Sequence, residues 1–217
     1  MSRLVAFGCS NTYGEGLPDC WINNDAGPTP SKFAWPQLLA DNLNLECVNL
    51  SVPGTSNKQI CNDILNTDLK STDIVVIMWT FFSRSCFFQD KGRSKRILIQ
   101  DITNKNFRRS HQKYNATYYK TFYTETNSNI ESHMYMNFSR SILNERGIKN
   151  YHATCNLSQD NLQITLPIPK WNLVDYADFN TDWLVDSALD NMHPGVKSQK
   201  EFFRRIKNHI EGKLNDI

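Results

Sequence analysis

The sequence holds no apolar run near the ~20 residues that a membrane-spanning helix needs. Its first apolar strand signal begins at Leu4, which leaves no room for a secretory leader. A membrane partner and export by that route are therefore not expected. The six cysteines (Cys9, Cys20, Cys47, Cys61, Cys86, Cys155) form no Cys-x-x-Cys pair and no metal-type Cys/His spacing. Buried free thiols and synthesis in the cytoplasm fit that scatter, which neither establishes nor excludes a place on a virus particle. An excess of one charge is missing too, since 24 Lys and Arg stand against 22 Asp and Glu, a net +2. That balance gives no global case for nucleic acid or an anionic membrane. Gly8 to Gly16 is not Gly-x-Gly-x-x-Gly, and no Gly-Lys-Ser/Thr or Gly-x-Ser-x-Gly occurs, so nucleotide sites and the α/β-hydrolase elbow are not indicated.

What the 217 residues do contain is an alternation of short apolar runs and amphipathic stretches. Leu4 to Phe7 predicts a buried parallel strand ending at Gly8. A long polar loop follows from Asn11 to Pro30, then a helix opening at Trp35-Pro36 and fading near Asn44. Cys47 to Leu50 predicts a second strand, Pro53-Gly54 a turn, and Asn57 to Leu69 a helix with Ile60, Ile64 and Leu65 on one face. The β-branched run Ile74 to Met78 predicts a central strand covered on both sides. Further on, a helix is expected from Asn129 to Glu145 with its stop at Gly147, a strand from Ile148 to Cys155, and a closing helix from Gly195 to Leu214. This βαβαβ order argues for a doubly wound parallel sheet in one domain over 1–217.

One stretch breaks the pattern. Between Arg84 and Lys120 there are ten Lys and Arg residues and only two acids, Asp90 and Asp101. It is expected as an excursion from the core at about 84–128, most simply a solvated, mobile loop. Its interleaved aromatics (Phe107, Tyr114, Tyr118, Tyr119, Phe122, Tyr123) also suit contact with a protein or an anionic polymer through 84–123. Nucleic acid ranks last among these partners, because no nucleic-acid motif accompanies the cluster.

Ligands of open α/β sheets bind outside the carboxyl ends of the strands, near the switch in strand order. Ser10 follows the first strand, Gly54 the second, and Trp79-Thr80-Phe81-Phe82 the third, so remote loops should converge on one crevice. Far downstream stands Asp190-Asn191-Met192-His193-Pro194. A serine hydroxyl becomes a useful nucleophile when an imidazole takes its proton and a carboxylate orients that imidazole.

In these residues the chain resembles the SGNH, or GDSL-type, hydrolase superfamily. Phe7 to Thr12 looks like its nucleophile block, with Cys9 where aspartate is usual and Asn11 where an aliphatic residue is usual. Asp190 to Pro194 is similar to its Asp-x-x-His-Pro block, and Asn49 to Gly54 to its second block. The third block departs: Gly-x-Asn-Asp is expected after Met78, and Trp79-Thr80-Phe81-Phe82 is there. The resemblance covers about two thirds of the chain and leaves the basic excursion out.

It implies a flavodoxin-like three-layer α/β/α fold with a central parallel sheet, and a serine esterase acting on a carbohydrate or other small ester without metal, nucleotide or other cofactor. Ser10 would be the nucleophile, His193 the base and then acid, and Asp190 its orienting carboxylate. The oxyanion would rest on the Ser10 and Gly54 N–H groups. With the family's asparagine missing, a donor typically worth ~3 kcal/mol is lost, and Asn57 is the expected substitute. Trp79, Thr80, Phe81 and Arg84 are candidate pocket residues, although the aromatics are more often core. Gly54 also fits a positive-φ turn, and Asp190 a cap. The competing class is a binding or structural module for a carbohydrate or protein that keeps the fold and has lost turnover.

Overall fold

A strand apolar on both faces must be covered twice, and β1 (Arg3–Phe7) is such a strand: Leu4 and Ala6 point to one side, Val5 and Phe7 to the other, all four inaccessible to water. The structure, a computed structural model, describes residues 2–90, 94–102, 109–154, 177–178 and 183–215. After β1 come the short helix α1 (Ser10–Tyr13), a small antiparallel pair β2 (Trp21–Ile22) and β3 (Asp25–Ala26), α2 (Trp35–Asn42), β4 (Glu46–Asn49), α3 (Asn57–Asn66) and β5 (Ile74–Trp79). The excursion supplies a hairpin, β6 (Ser85–Phe88) and β7 (Ser94–Ile97), and α4 (Arg109–Thr121). Then follow α5 (Glu125–Glu145), β8 (Lys149–Thr154), β9 (Ala177–Asp178) and α6 (Val196–Asn215).

The main sheet is parallel in the order β4-β1-β5-β8-β9, the flavodoxin-like order that reverses direction at β1. Its alternating side chains build two cores. On one face Leu4, Ala6, Val76 and Met78 pack with Trp35 and Leu39 of α2 and Phe202, Ile206 and Ile210 of α6. On the other, Val5, Phe7, Val75, Ile77 and Trp79 pack with Ile60 and Ile64 of α3 and Met136 and Leu143 of α5. The three-layer α/β fold expected from the sequence is the fold observed.

Three local expectations change. The stretch Asn11 to Pro30 is not a plain loop, since it carries α1 and the β2/β3 pair. The helix expected from Asn129 starts a turn earlier, because the Thr124 side chain accepts from Asn127 N–H at 3.1 Å and caps it. The described part of the excursion is ordered rather than a bare loop. Phe87 of the hairpin meets Tyr114 and Tyr118 of α4 edge-on, and Tyr119 Oη donates to the carbonyl of Ser83 at 2.8 Å. Tyr114, Tyr118, Tyr119 and Tyr123 thus make ring contacts within the excursion while Phe122 is 67% exposed, and Lys95 lies 4.0 Å over the Tyr114 ring. Phe107 and the cations at 91, 93, 105 and 108 lie outside the described residues.

The sheet is pinned at its amino end by Arg3. Its Nε and Nη2 donate to the two oxygens of Asp73 at 3.0 and 2.6 Å, and Lys70 N–H adds a third bond at 2.9 Å. Asp73 is buried, and the Arg3 hydrogen bonds hold its carboxyl below the usual range. A depressed carboxyl contributes stability that is present above the unfolded value of ~3.9 and is lost as pH falls through the folded one. Asp73→Asn is therefore expected to cost about 3 kcal/mol at pH 7, with the gap narrowing as pH falls to 3; urea unfolding at both pH values measures it, and an equal gap at both would refute the assignment.

Candidate active site

The turn out of β1 works only because Gly8 lacks a side chain. A Cβ there would lie 2.1 Å from Thr12 Oγ1 and 3.1 Å from the Met78 carbonyl oxygen, so α1 can fold straight back over the sheet edge. Cys9 O accepts from the N–H groups of Thr12 and Tyr13 at 3.0 and 2.9 Å, which leaves Ser10 as the first residue of the helix. The Asn49 amide donates to Thr12 O at 2.8 Å while its oxygen accepts from Ser51 N–H at 3.1 Å, tying the loop after β4 to the Ser10 turn. Ser10 is 4% exposed. Among the described residues its hydroxyl makes no hydrogen bond, and neither do the N–H groups of Ser10 and Gly54.

The second half of the site is a closed loop between residues 186 and 195. Ser187 and Pro194 bridge its base, Ala188 N–H donates to His193 O at 2.8 Å, and Asn191 turns the tip at φ 56°. Asp186 fastens the loop to α6 by accepting from the N–H groups of Lys197 and Ser198 at 3.1 and 2.8 Å. Asp190 Oδ1 accepts from Met192 and His193 N–H at 3.0 Å each, and its Oδ2 meets His193 Nδ1. Asp190 thus folds its own loop and holds the imidazole at once, so its capping and its orienting role are both served. Burial pushes its carboxyl up, but the bonds from the His193 ring and the two N–H groups prevail and hold it below the usual range.

The two halves meet through Gly16. Leu189 N–H donates to Gly16 O at 2.9 Å, and a Cβ on Gly16 would stand 2.7 Å from the Asp190 carboxyl. Gln199 of α6 adds a bond to Asn11 O at 3.0 Å. Serine turn and histidine loop are therefore neighbours, as the strand order requires. Among the described residues no hydrogen bond joins His193 Nε2 to Ser10; Nε2 faces Glu15 Oε2, at 3.6 Å, from the same turn as the serine. Burial raises the Glu15 carboxyl, the His193 ring counteracts it, and Asp190 adds to it. Sequence reading missed Glu15, because a lone carboxylate five residues after a serine carries no motif.

The remaining residues divide. Gly54 has φ 70°, which satisfies the turn reading, and its N–H stands on the loop tied to Ser10. Asn57 does not supply a spare donor: its amide nitrogen donates to Thr80 O and Ser132 Oγ at 3.1 Å each, and its oxygen accepts from Thr80 N–H at 2.9 Å. Both amide hydrogens are engaged in bracing the exit of β5 against α5, which corrects its expected oxyanion role. Trp79 is core rather than pocket wall, fully buried with Nε1 donating to His152 Nδ1 at 2.9 Å. Thr80 is buried and accepts from Arg84 Nη1 at 2.9 Å, and the Arg84 guanidinium lies 4.7 Å over the Phe81 ring, so these three close on one another.

Beside Gly54 lies a cavity of about 600 Å³ walled by the loop after β4, α3 and the β6/β7 hairpin. Neither Ser10 nor His193 lines it.

No family model matches the sequence, and no curated protein sequence does. Solved structures do. A carbohydrate esterase whose active site is described as having divergent catalytic and non-catalytic binding functions matches with a TM-score of 0.56 at 13% identity, over 96% of this chain and 68% of its own. An acetyl xylan esterase from the rumen bacterium Butyrivibrio proteoclasticus matches with a TM-score of 0.54 at 14% identity, over 98% of this chain and 64% of its own. The chain spans about two thirds of these proteins, and at such identity the likeness is one of fold. That fold agrees with the SGNH-type resemblance read from the sequence.

Two outcomes follow from the geometry. Asn57→Ala strands the Thr80 N–H and the Ser132 hydroxyl, so it is expected to cost about 2 kcal/mol of stability in urea unfolding; a variant as stable as wild type would contradict the brace. A raised acid weakens the fold as pH climbs from the unfolded value of ~4.3 towards the folded one. Glu15→Gln is thus expected to raise the Tm at pH 7.5 by about 2 °C and to leave it unchanged at pH 4, and thermal scans showing no gain at pH 7.5 would refute the burial cost.

Proposed function

We propose that the chain is a serine esterase of the SGNH type that removes an acyl group from a carbohydrate or another small alcohol. The observation that carries this reading is the Asp190–His193 pair, held by a self-closed loop directly against the turn that bears Ser10. With Nδ1–H given to Asp190, the imidazole keeps Nε2 as an acceptor. Nε2 takes the Ser10 hydroxyl proton as Oγ attacks the ester carbonyl carbon. The carbonyl electrons move to oxygen, where the Ser10 and Gly54 N–H groups can receive the charge. The tetrahedral species collapses, the C–O bond to the alcohol breaks, and His193 returns the proton to that leaving oxygen. Water then repeats the sequence on the acyl-Ser10 ester, releasing the acid and restoring the hydroxyl.

One movement is required. Nε2 must exchange its Glu15 neighbour for Ser10 Oγ, and catalytic hydrogen bonds are often long before substrate binds and tighten in the complex. The second reading, a binding module without turnover, is favoured by the same Glu15 contact together with the engaged Asn57 amide. The esterase structure described as having non-catalytic binding functions is a precedent for either use of this fold.

A fluorophosphonate probe and p-nitrophenyl acetate separate the two. The esterase reading expects labelling at Ser10, and a kcat/KM that falls by about a thousandfold or more in Ser10→Ala and in His193→Ala. No labelling, with hydrolysis indifferent to Ser10, would leave the binding module standing.

A further inference from the structure

We infer that Glu15 selects the alcohol of the ester by accepting a hydrogen bond from a hydroxyl on the carbon next to the departing oxygen, so that the preferred substrate is the monoester of a 1,2-diol. The inference rests on the esterase reading and names the alcohol which that reading leaves open.

The backbone fixes where Glu15 stands. Helix α1 is a single turn, and Gly14 ends it at φ 81°, where a Cβ would also lie 2.6 Å from Ser31 Cβ. The N–H groups of Gly14 and Glu15 then both donate to Ser10 O, at 2.9 and 3.1 Å. Ser10 and Glu15 are thus the two ends of one closed turn, and the next residue, Gly16, is the one that meets the Asp190 loop. Nucleophile and carboxylate cannot be moved apart without opening α1.

The distance to His193 says which part of a substrate Glu15 meets. The alcohol oxygen that takes the proton back must come within about 3 Å of Nε2. Glu15 Oε2 lies 3.6 Å from that same nitrogen. With the acyl carbon held at Ser10, the group facing Glu15 is the first carbon of the alcohol and what that carbon's neighbour carries. Solvent reaches both side chains, 19% exposed for Glu15 and 18% for His193, so a substrate can reach them too.

The carboxylate also lacks a donor. Among the described residues no N–H or O–H donates to it, and 3.6 Å is too long for a hydrogen bond from Nε2. Burial pushes the Glu15 carboxyl up against the pull of the His193 ring. An acceptor stripped of water without a partner is costly, and a bound donor removes that cost. A hydroxyl suits the position better than an ammonium, because it donates to a carboxylate and accepts from a carboxylic acid. An alcohol with no such group displaces water from Glu15 and offers nothing in return, which is how a polar site rejects an analogue that lacks its partner. Neighbouring hydroxyls are what a sugar ring presents.

Hydrolysis of 2-hydroxyethyl acetate and 2-methoxyethyl acetate tests this, because the methyl cap removes the donor and adds little bulk. The full chain is expected to show a kcat/KM at least about tenfold higher for the hydroxyethyl ester. In Glu15→Ala the two esters are expected to come within about twofold of each other, through a loss on the hydroxyethyl ester. Glu15→Gln keeps an acceptor oxygen without the charge and is expected to retain a preference of about threefold. A merely structural role would move both esters alike, and Tm values confirm that both variants fold. Near-equal rates in the wild type, or a preference that survives Glu15→Ala, overturns the inference alone when the fluorophosphonate still labels Ser10. Absence of both labelling and hydrolysis overturns the esterase reading, and this inference with it.

Discussion

The arrangement depends on one constraint: β1 is buried on both faces and hydrogen-bonded on both edges, to β4 on one side and β5 on the other. A chain that must fill both edges of its first strand has to leave in one direction and return in the other. The helices that carry it, α2 and α3, then cover opposite faces, and the loops leaving β1 and β5 part at the carboxyl end. The crevice is a by-product of covering the core. Ser10 stands in it for the same reason that Leu4 and Val5 are dry.

Around that crevice the protein handles acids in opposite ways. Asp190 is buried yet kept ionised, because three hydrogen bonds converge on it, and the loop that carries it could not close without them. Glu15 is half-buried against the same imidazole and gains no comparable set of donors, so desolvation governs it. One histidine therefore sits between a carboxylate the fold supports and one it penalises. The asymmetry anchors the ring at Nδ1 and leaves Nε2 without a hydrogen bond among the described residues.

The sheet was legible because the parallel strands are short continuous apolar runs, and Leu4 to Phe7 and Ile74 to Met78 have no competing reading at that length. The Ser10 and His193 blocks were legible because their residues serve local geometry as well as chemistry, as Asp190 does. What stayed hidden is what depends on contacts between segments distant in sequence. The Asn57 amide is spoken for by Thr80 and Ser132, which lie 23 and 75 residues away. Trp79 looked like a pocket wall until His152, from another strand, proved to be its partner. The excursion looked like a solvated loop because its aromatic residues follow no strand or helix period that would show which of them pack on one another.

The hairpin that carries Arg96 enters the chain between β5 and α5 and touches the turn at Gly54 without contributing to the sheet. The residues of the candidate site consequently come from the first sixteen residues and the loop 186 to 195, while the hairpin stands outside the strands that place them. Such a division lets the insertion vary without disturbing the strands that form the central sheet. Relatives of this architecture would then be expected to differ most in that stretch and to share least of it.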